Sequence, residues 1–313
     1  MASVNTQVFR SRRNLKPALF LALMMLTGAL GTQHVAAYVD ISVDVKRNAF
    51  LRYEPVQVAV TIRNFSGNPL DFGKRGEARG GVEFSVFRQG KQYVAPKQKE
   101  FNFGTDLFLP AGASRRLEVS LNRYYNLQRT GSYHFYVKVK HDRFSNAVRS
   151  QSKSFTIKDG IEIWSKMVGA PSSKSGEIPV RKMTLMTFSQ KKKGVYALRI
   201  EDKDKVYATI RLGRRIMVGT RPEFAVDGRS NFHILLEVEA KLYVYRVVSW
   251  EGELEETQYF MAKDTIPHLQ QDDTLGTVSV NGGTKATPGV DFELKGSDRD
   301  NSRAPQRSPR PGR

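Results

Sequence analysis

The densest run of residues able to do chemistry is QRTGSYHFYVKVKHDR, from Gln128 to Arg143. His134, His141 and Asp142 stand close together in it. A histidine beside a carboxylate is the pairing used both for proton transfer and for metal binding. The same run alternates strictly, with Tyr133, Phe135, Val137 and Val139 on one side and His134, Tyr136, Lys138 and Lys140 on the other. A period of two accounts for every residue, so the run predicts a strand with His134 facing outward and His141 at its end.

The other reactive combinations fail on spacing or context. Beyond residue 37 the histidines are His134, His141, His233 and His268, scattered along a chain that has no cysteine and no H-E-x-x-H. That excludes the usual zinc frameworks, and no cofactor or metal is expected. Ser189 to Lys192 fits S-x-x-K, but the motif needs its serine at a helix start and here it lies between two strand-like runs. Asp202 and Asp204 open like a calcium loop, yet positions six and twelve are Tyr207 and Gly213 rather than glycine and glutamate. The glycines from Gly73 to Gly81 are not followed by G-K-[ST]. No catalytic residue is predicted, and the chain reads as a non-enzyme.

Basic clusters remain. The formal net charge is +19, which favours polyanionic partners in general. The candidate binding residues are Lys191, Lys192 and Lys193, in a predicted turn, with Arg214 and Arg215, in a second one. The sequence leaves open whether the two turns meet at one end of a sheet. Aromatic residues do not interleave with these clusters, so no nucleic acid partner is expected.

The elements that hold these residues follow from composition and pattern. Arg10, Arg12, Arg13 and Lys16 precede an uncharged run from Ala18 to Leu30, and Val35 and Ala37 supply a small-x-small site. This is the order of a secretory signal peptide, predicted over residues 1–37 with cleavage after Ala37. A run of thirteen residues falls short of the roughly 20 that span a bilayer, so no transmembrane anchor is expected after cleavage. Residues 1–37 carry four basic groups and no acid, which leaves +15 of the +19 on the mature chain. Absence of cysteine fits a periplasmic or secreted bacterial protein better than a disulfide-stapled extracellular module.

Residues 38–158 contain YVDISVDVK, PVQVAVTIR, VEFSVF, RLEVSL and SFTI, all of period two and separated by turn chemistry. They predict a β-sandwich of about seven strands. Gly131 and Tyr133, preceded by Leu127, match a tyrosine corner, in which the ring packs inward and the hydroxyl bonds back to nearby backbone. Tyr53-Glu54-Pro55 before a strand, Asn64 with Ser66-Gly67 after it, and Gly131-x-Tyr133 together make this region resemble the Ig-like β-sandwich domains of exported bacterial proteins. It is similar, more loosely, to the intracellular proteinase inhibitor (BsuPI-type) sandwich and to macroglobulin-like domains. The inhibitor likeness implies an alternative activity, proteinase inhibition through a loop such as GKRGEARGG.

Residues 159–262 read as a consecutive antiparallel meander, a second sandwich or a barrel. Residues 263–313 are poor in apolar side chains and end in a basic stretch rich in proline and serine, so a disordered tail is predicted. The expectation is an all-β, exported binding or structural protein. Its partner would be an acidic polysaccharide, an anionic envelope surface or another envelope protein.

Overall fold

Alternating sequence becomes strand where one face finds a core and the other finds water or a covering element. The structure, a computed structural model, describes residues 39–73, 80–90, 92–97, 107–170, 178–190, 193–216 and 221–294. The fold is all-β. The predicted signal segment, most of the glycine-rich loop and the end of the tail lie outside the described residues. No helix among the described residues is long and apolar enough to cross a membrane.

The first eleven strands are β1 (Val39–Val45), β2 (Ala49–Leu51), β3 (Gln57–Asn64), β4 (Leu70–Asp71), β5 (Gly80–Arg88), β6 (Gln92–Val94), β7 (Phe108–Leu109), β8 (Ser114–Ser120), β9 (Gly131–His141), β10 (Val148–Arg149) and β11 (Lys153–Lys158). One sheet runs β1-β3-β8 and the other β2-β11-β9-β5-β6, with β10 against β9. All these pairs are antiparallel except β2 with β11. A single core fills the space between the sheets. Val39, Ile41, Val58, Val60 and Ile62 come from one side, and Val82, Phe84, Phe135, Val137 and Phe155 from the other. The inward set predicted for the run around Tyr133 is the one observed, because strand period leaves it no other face.

The tyrosine corner is present. Tyr133 is 1% exposed, its Oη donates to the Arg129 carbonyl at 2.6 Å, and its ring stacks on Phe155 at 5.3 Å between centroids. Gly131 has φ 132°, a region that L side chains rarely adopt, which lets the chain turn into β9. Burial raises the Tyr133 hydroxyl above its ordinary pKa, against the lowering influence of Arg88 and Arg129. Tyr133→Phe leaves the Arg129 carbonyl short of a donor and is expected to cost about 1–3 kcal/mol. An unchanged urea midpoint would reject the corner's role.

The second set comprises β12 (Ile161–Gly169), β13 (Val180–Gln190), β14 (Lys193–Glu201), β15 (Val206–Arg215), β16 (Glu223–Val226), β17 (Phe232–Glu239), β18 (Leu242–Val248), β19 (Leu254–Met261), β20 (His268–Asp272), β21 (Thr277–Asn281) and β22 (Thr284–Ala286). They form two antiparallel sheets, β12-β13-β14-β15 and β16-β17-β18-β19-β22, and a separate hairpin β20-β21. Met183, Leu185, Leu198 and Ile200 meet Phe232, Ile234, Leu236 and Val244 in a shared core. Of the two architectures predicted, the sandwich is the one formed.

The predicted disordered tail needs correction. Residues 263–294 fold. β22 pairs with β19 through Ala286 and Tyr259. The β20-β21 hairpin lays Leu269 and Val280 over Leu235, Tyr243, Tyr245, Val247 and Phe260, on the outer face of the five-stranded sheet. The hairpin carries little apolar surface of its own, but the tyrosines and Phe260 opposite supply it. Polarity of the segment alone could not reveal that partner. Residues 295–313 lie outside the described residues.

From Val39 onward the two sandwiches pack as one unit. Leu51 of the first sits among Met186, Phe188 and Ala197 of the second. Beside it Glu54 receives Arg211, with Nε 2.5 Å from Oε1 and Nη2 3.1 Å from Oε2. Arg211 Nη2 also donates to the Ala49 carbonyl at 2.7 Å. Tyr53, at φ 70°, lies between Arg52 and Arg199, whose guanidinium carbons are 5.9 and 5.3 Å from its ring. The Tyr53-Glu54-Pro55 segment is therefore the seam between the sandwiches.

Candidate polyanion-binding site

The hairpin β13-β14 sets Lys193 at one end of its sheet. Lys193 pairs with Gln190 at the start of β14, while Lys191 and Lys192 lie outside the described residues. On the neighbouring strand, Gly194 pairs with Arg215 and Val195 with Arg214. Lys193 therefore starts β14 beside the end of β15 that carries Arg214 and Arg215. The carbon chain of Arg215 crosses Gly194 so closely that an added Cβ there would stand 2.9 Å from the Arg215 Cβ. Glycine at 194 is what lets Arg215 lie along the strand.

Arg214 and Arg215 were predicted in a turn and instead end a strand. The reason is a bulge. Ala197 pairs with Arg211 and Tyr196 with Gly213, so Leu212 is an extra residue on β15. The bulge shifts the register and pairing continues for two more residues. Its carbonyls are capped from inside the core, where the buried Arg246 guanidinium donates to Leu212 O at 2.5 Å. Both Arg214 and Arg215 are exposed, and neither is ion-paired with a carboxylate among the described residues. Burial raises the neighbouring Tyr196 hydroxyl above its ordinary pKa, opposed by the charge of Arg215. A patch of unpaired cations at a strand end attracts anions by charge, with little geometric selectivity.

The histidines do different work. His134 stacks on Phe87 at 5.0 Å, facing outward as predicted. His141 ends β9 but is buried, with Nε2 3.1 Å from the Asp71 carbonyl and Nδ1 accepting from Arg143 N. His233 was predicted as an outward or satisfied strand residue, and it is buried. Its Nδ1 is 2.7 Å from Tyr245 Oη, while its Nε2 lies 3.1 Å from Asp227 Oδ2 without the geometry of a hydrogen bond. Burial pushes the Tyr245 hydroxyl up to about 12, helped by Glu256 and Asp227, which makes it a poor nucleophile at neutral pH. For Asp227, burial works against ionisation, but Asn231 and His233 outweigh it and hold the carboxyl below its ordinary value. Its contribution to stability is thus present above the unfolded pKa and lost as pH falls through the folded one. This triad pins the Asp227–Asn231 turn beneath the hairpin.

The Asp202-Asp204 motif is a turn. Asp202 Oδ1 accepts from Asp204 N and Lys205 N, each at 2.8 Å. Bonded by Tyr207 and those amides, its carboxyl falls to about 2. No group of three or more His, Cys, Asp or Glu able to hold a metal occurs among the described residues.

Sequence reading missed two arrangements. One is the Glu54–Arg211 seam, whose partners are far apart in the chain. The other is on the outer face of β5-β9, where Arg149 lies over the Tyr136 ring at 3.5 Å. Outward Tyr136 and Lys138 were legible from alternation; the arrival of Arg149 beside them was not, because β10 is only two residues long. The chain matches no protein-family model and no curated protein.

Proposed function

We propose that this is an exported, non-enzymatic binding protein that recognises an acidic partner, an envelope polysaccharide in the first instance. What supports the reading is the convergence of Lys193, Arg214 and Arg215 at one sheet end, on a chain with an excess of positive charge. Lys191 and Lys192, next to Lys193 in sequence, are part of the proposed patch. A diffuse site of this kind loses affinity as salt rises, because exposed charges are screened over a Debye length of about 8 Å at physiological ionic strength.

The test is binding to an immobilised uronate polymer at low and physiological salt. Wild-type protein is expected to bind at low salt and release as salt rises. Gln substitution of Lys191, Lys192, Lys193, Arg214 and Arg215 together should weaken that binding and flatten its dependence on salt. Retention in the five-fold variant with loss on deleting residues 296–313 would move the activity to the tail. No binding at low salt would reject the reading.

The export half has its own check. N-terminal sequencing of protein recovered from a bacterial envelope fraction is expected to begin at Tyr38. A membrane-embedded product that keeps its first residues would refute it.

A further inference from the structure

The outer face of the β5-β9 pair carries a ring flanked by two cations. Arg149 and Lys138 are directly opposite each other across β10 and β9. Like charges in that register repel and are ordinarily avoided. Both are drawn to Tyr136, with the Arg149 Cζ 3.5 Å and the Lys138 Nζ 5.6 Å from its centroid. The ring stabilises both cations without neutralising either.

Among the described residues no carboxylate does so. Glu83 faces Lys138 across β5 and β9, but its two oxygens are each 3.2 Å from Lys140 Nζ. Neither Arg149 nor Lys138 has an ion pair or a hydrogen-bond acceptor for its charged group among the described residues. Arg149 is exposed. A guanidinium laid flat on a ring keeps its in-plane N–H donors directed outward, and that fork matches a carboxylate bidentately. Lys138 adds a second charge on the same side of the sheet.

The neighbouring rings decide between acidic partners. Phe87 is stacked on His134 at 5.0 Å and on Tyr136 at 5.9 Å. Those faces are already occupied by one another. Single-stranded nucleic acid needs a series of free ring faces for its bases. Among the described residues of this face Tyr93, 54% exposed and edge-on to Phe87, is the ring that stands out into solvent. A carboxylated sugar needs one cationic fork, one neighbouring charge and one ring.

We propose that Arg149, Lys138 and Tyr136 form a discrete carboxylate site for a uronate unit of an acidic polysaccharide, with Tyr93, on the far side of Phe87, as the contact for a further sugar of the same oligomer. The site is separate from the strand-end patch at Arg214 and Arg215 and rests on the reading of an acidic partner. It differs in kind, because it recognises a short oligomer by geometry where the patch holds a long chain by charge.

The experiment is calorimetric titration of the full chain with a galacturonate hexamer, beside its fully methyl-esterified form and a thymidylate hexamer. Wild type is expected to bind the acid form and neither of the others. Arg149→Gln and Lys138→Gln should each lower affinity at least tenfold at an unchanged Tm. Arg149→Lys should lose nearly as much as Arg149→Gln, since it keeps the charge and loses the fork. Gln at Lys193, Arg214 and Arg215 should leave hexamer affinity within twofold while weakening binding of the long polymer. If hexamer binding follows those three residues instead, the discrete site is wrong and the strand-end patch stands. Equal binding of the methyl ester or of thymidylate overturns the carboxylate assignment. Absence of hexamer binding while the polymer still binds overturns the site without touching the patch.

Discussion

Arg211→Met is expected to destabilise the protein by about 3–5 kcal/mol, the range for breaking one side of a buried ion pair. The Glu54 and Arg211 side chains are 5% and 4% exposed. Glu54 also accepts from Leu51 N at 2.8 Å and from Arg47 at 3.2 Å. Arg47 would remain in the variant and holds the expected loss toward the lower end. The Ala49 carbonyl also loses its donor. Pairing the change with Glu54→Leu should recover only part of the loss, since it removes the stranded buried charge but also takes the acceptor from Leu51 N and Arg47. Urea unfolding followed by tryptophan fluorescence and by circular dichroism measures both. In wild type the two probes should coincide. In Arg211→Met they should separate, because both tryptophans, Trp164 and Trp250, belong to the second sandwich. A single coincident transition with a loss below about 1 kcal/mol would show that the seam does not couple the sandwiches.

Phe155→Ala should cost a similar amount, about 3–5 kcal/mol. Phe155 is 2% exposed and stands at the centre of an aromatic cluster. It stacks on Tyr133, meets Phe50 edge-on at 5.8 Å and packs on Phe135 at 5.9 Å. Removing the ring opens a cavity bounded by other large rings that cannot collapse without leaving their rotamers. The loss should exceed that of Tyr133→Phe, which removes one hydroxyl and no volume. The two changes together should not sum, since they share a contact. A cost under 1 kcal/mol would mean that the cluster rearranges freely.

Long strands were legible because burial imposes a period, and the period survives in the letters. β1, β3, β5, β8, β9 and β11 all fall on predicted runs. The two-residue strands were not, since two residues have no period. That is why β10 was overlooked, and Arg149 with it. The end of β15 was misread for a related reason. A bulge at Leu212 changes which residues face which side, and no local rule announces it. The basic residues themselves were visible, but their meeting depended on a hairpin register that only pairing could set. The folded stretch 263–294 shows a different limit. Its burial is supplied by Tyr243, Tyr245 and Phe260, which belong to other strands. The Tyr53-Glu54-Pro55 segment was noticed as a fold marker, while its role depended on Arg211, brought in by another domain.

All seven residues of β18 are buried. One face lies in the sandwich core and the other under the β20-β21 hairpin, and the strand is bonded on both edges. This has a consequence for the order of events on a growing chain. β18 leaves the ribosome before the segment that shields its outer face, and until residues 268–286 follow, Tyr243, Tyr245 and Val247 stay open to solvent or to a chaperone. The second sandwich is thus completed last, from its C-terminal side. A chain stalled or clipped near residue 262 would present an apolar sheet face of the kind that associates with its own copies. In the finished protein the amide protons of β18 should be among the slowest to exchange with deuterium, since no partial opening exposes them without lifting the hairpin or parting the sheets.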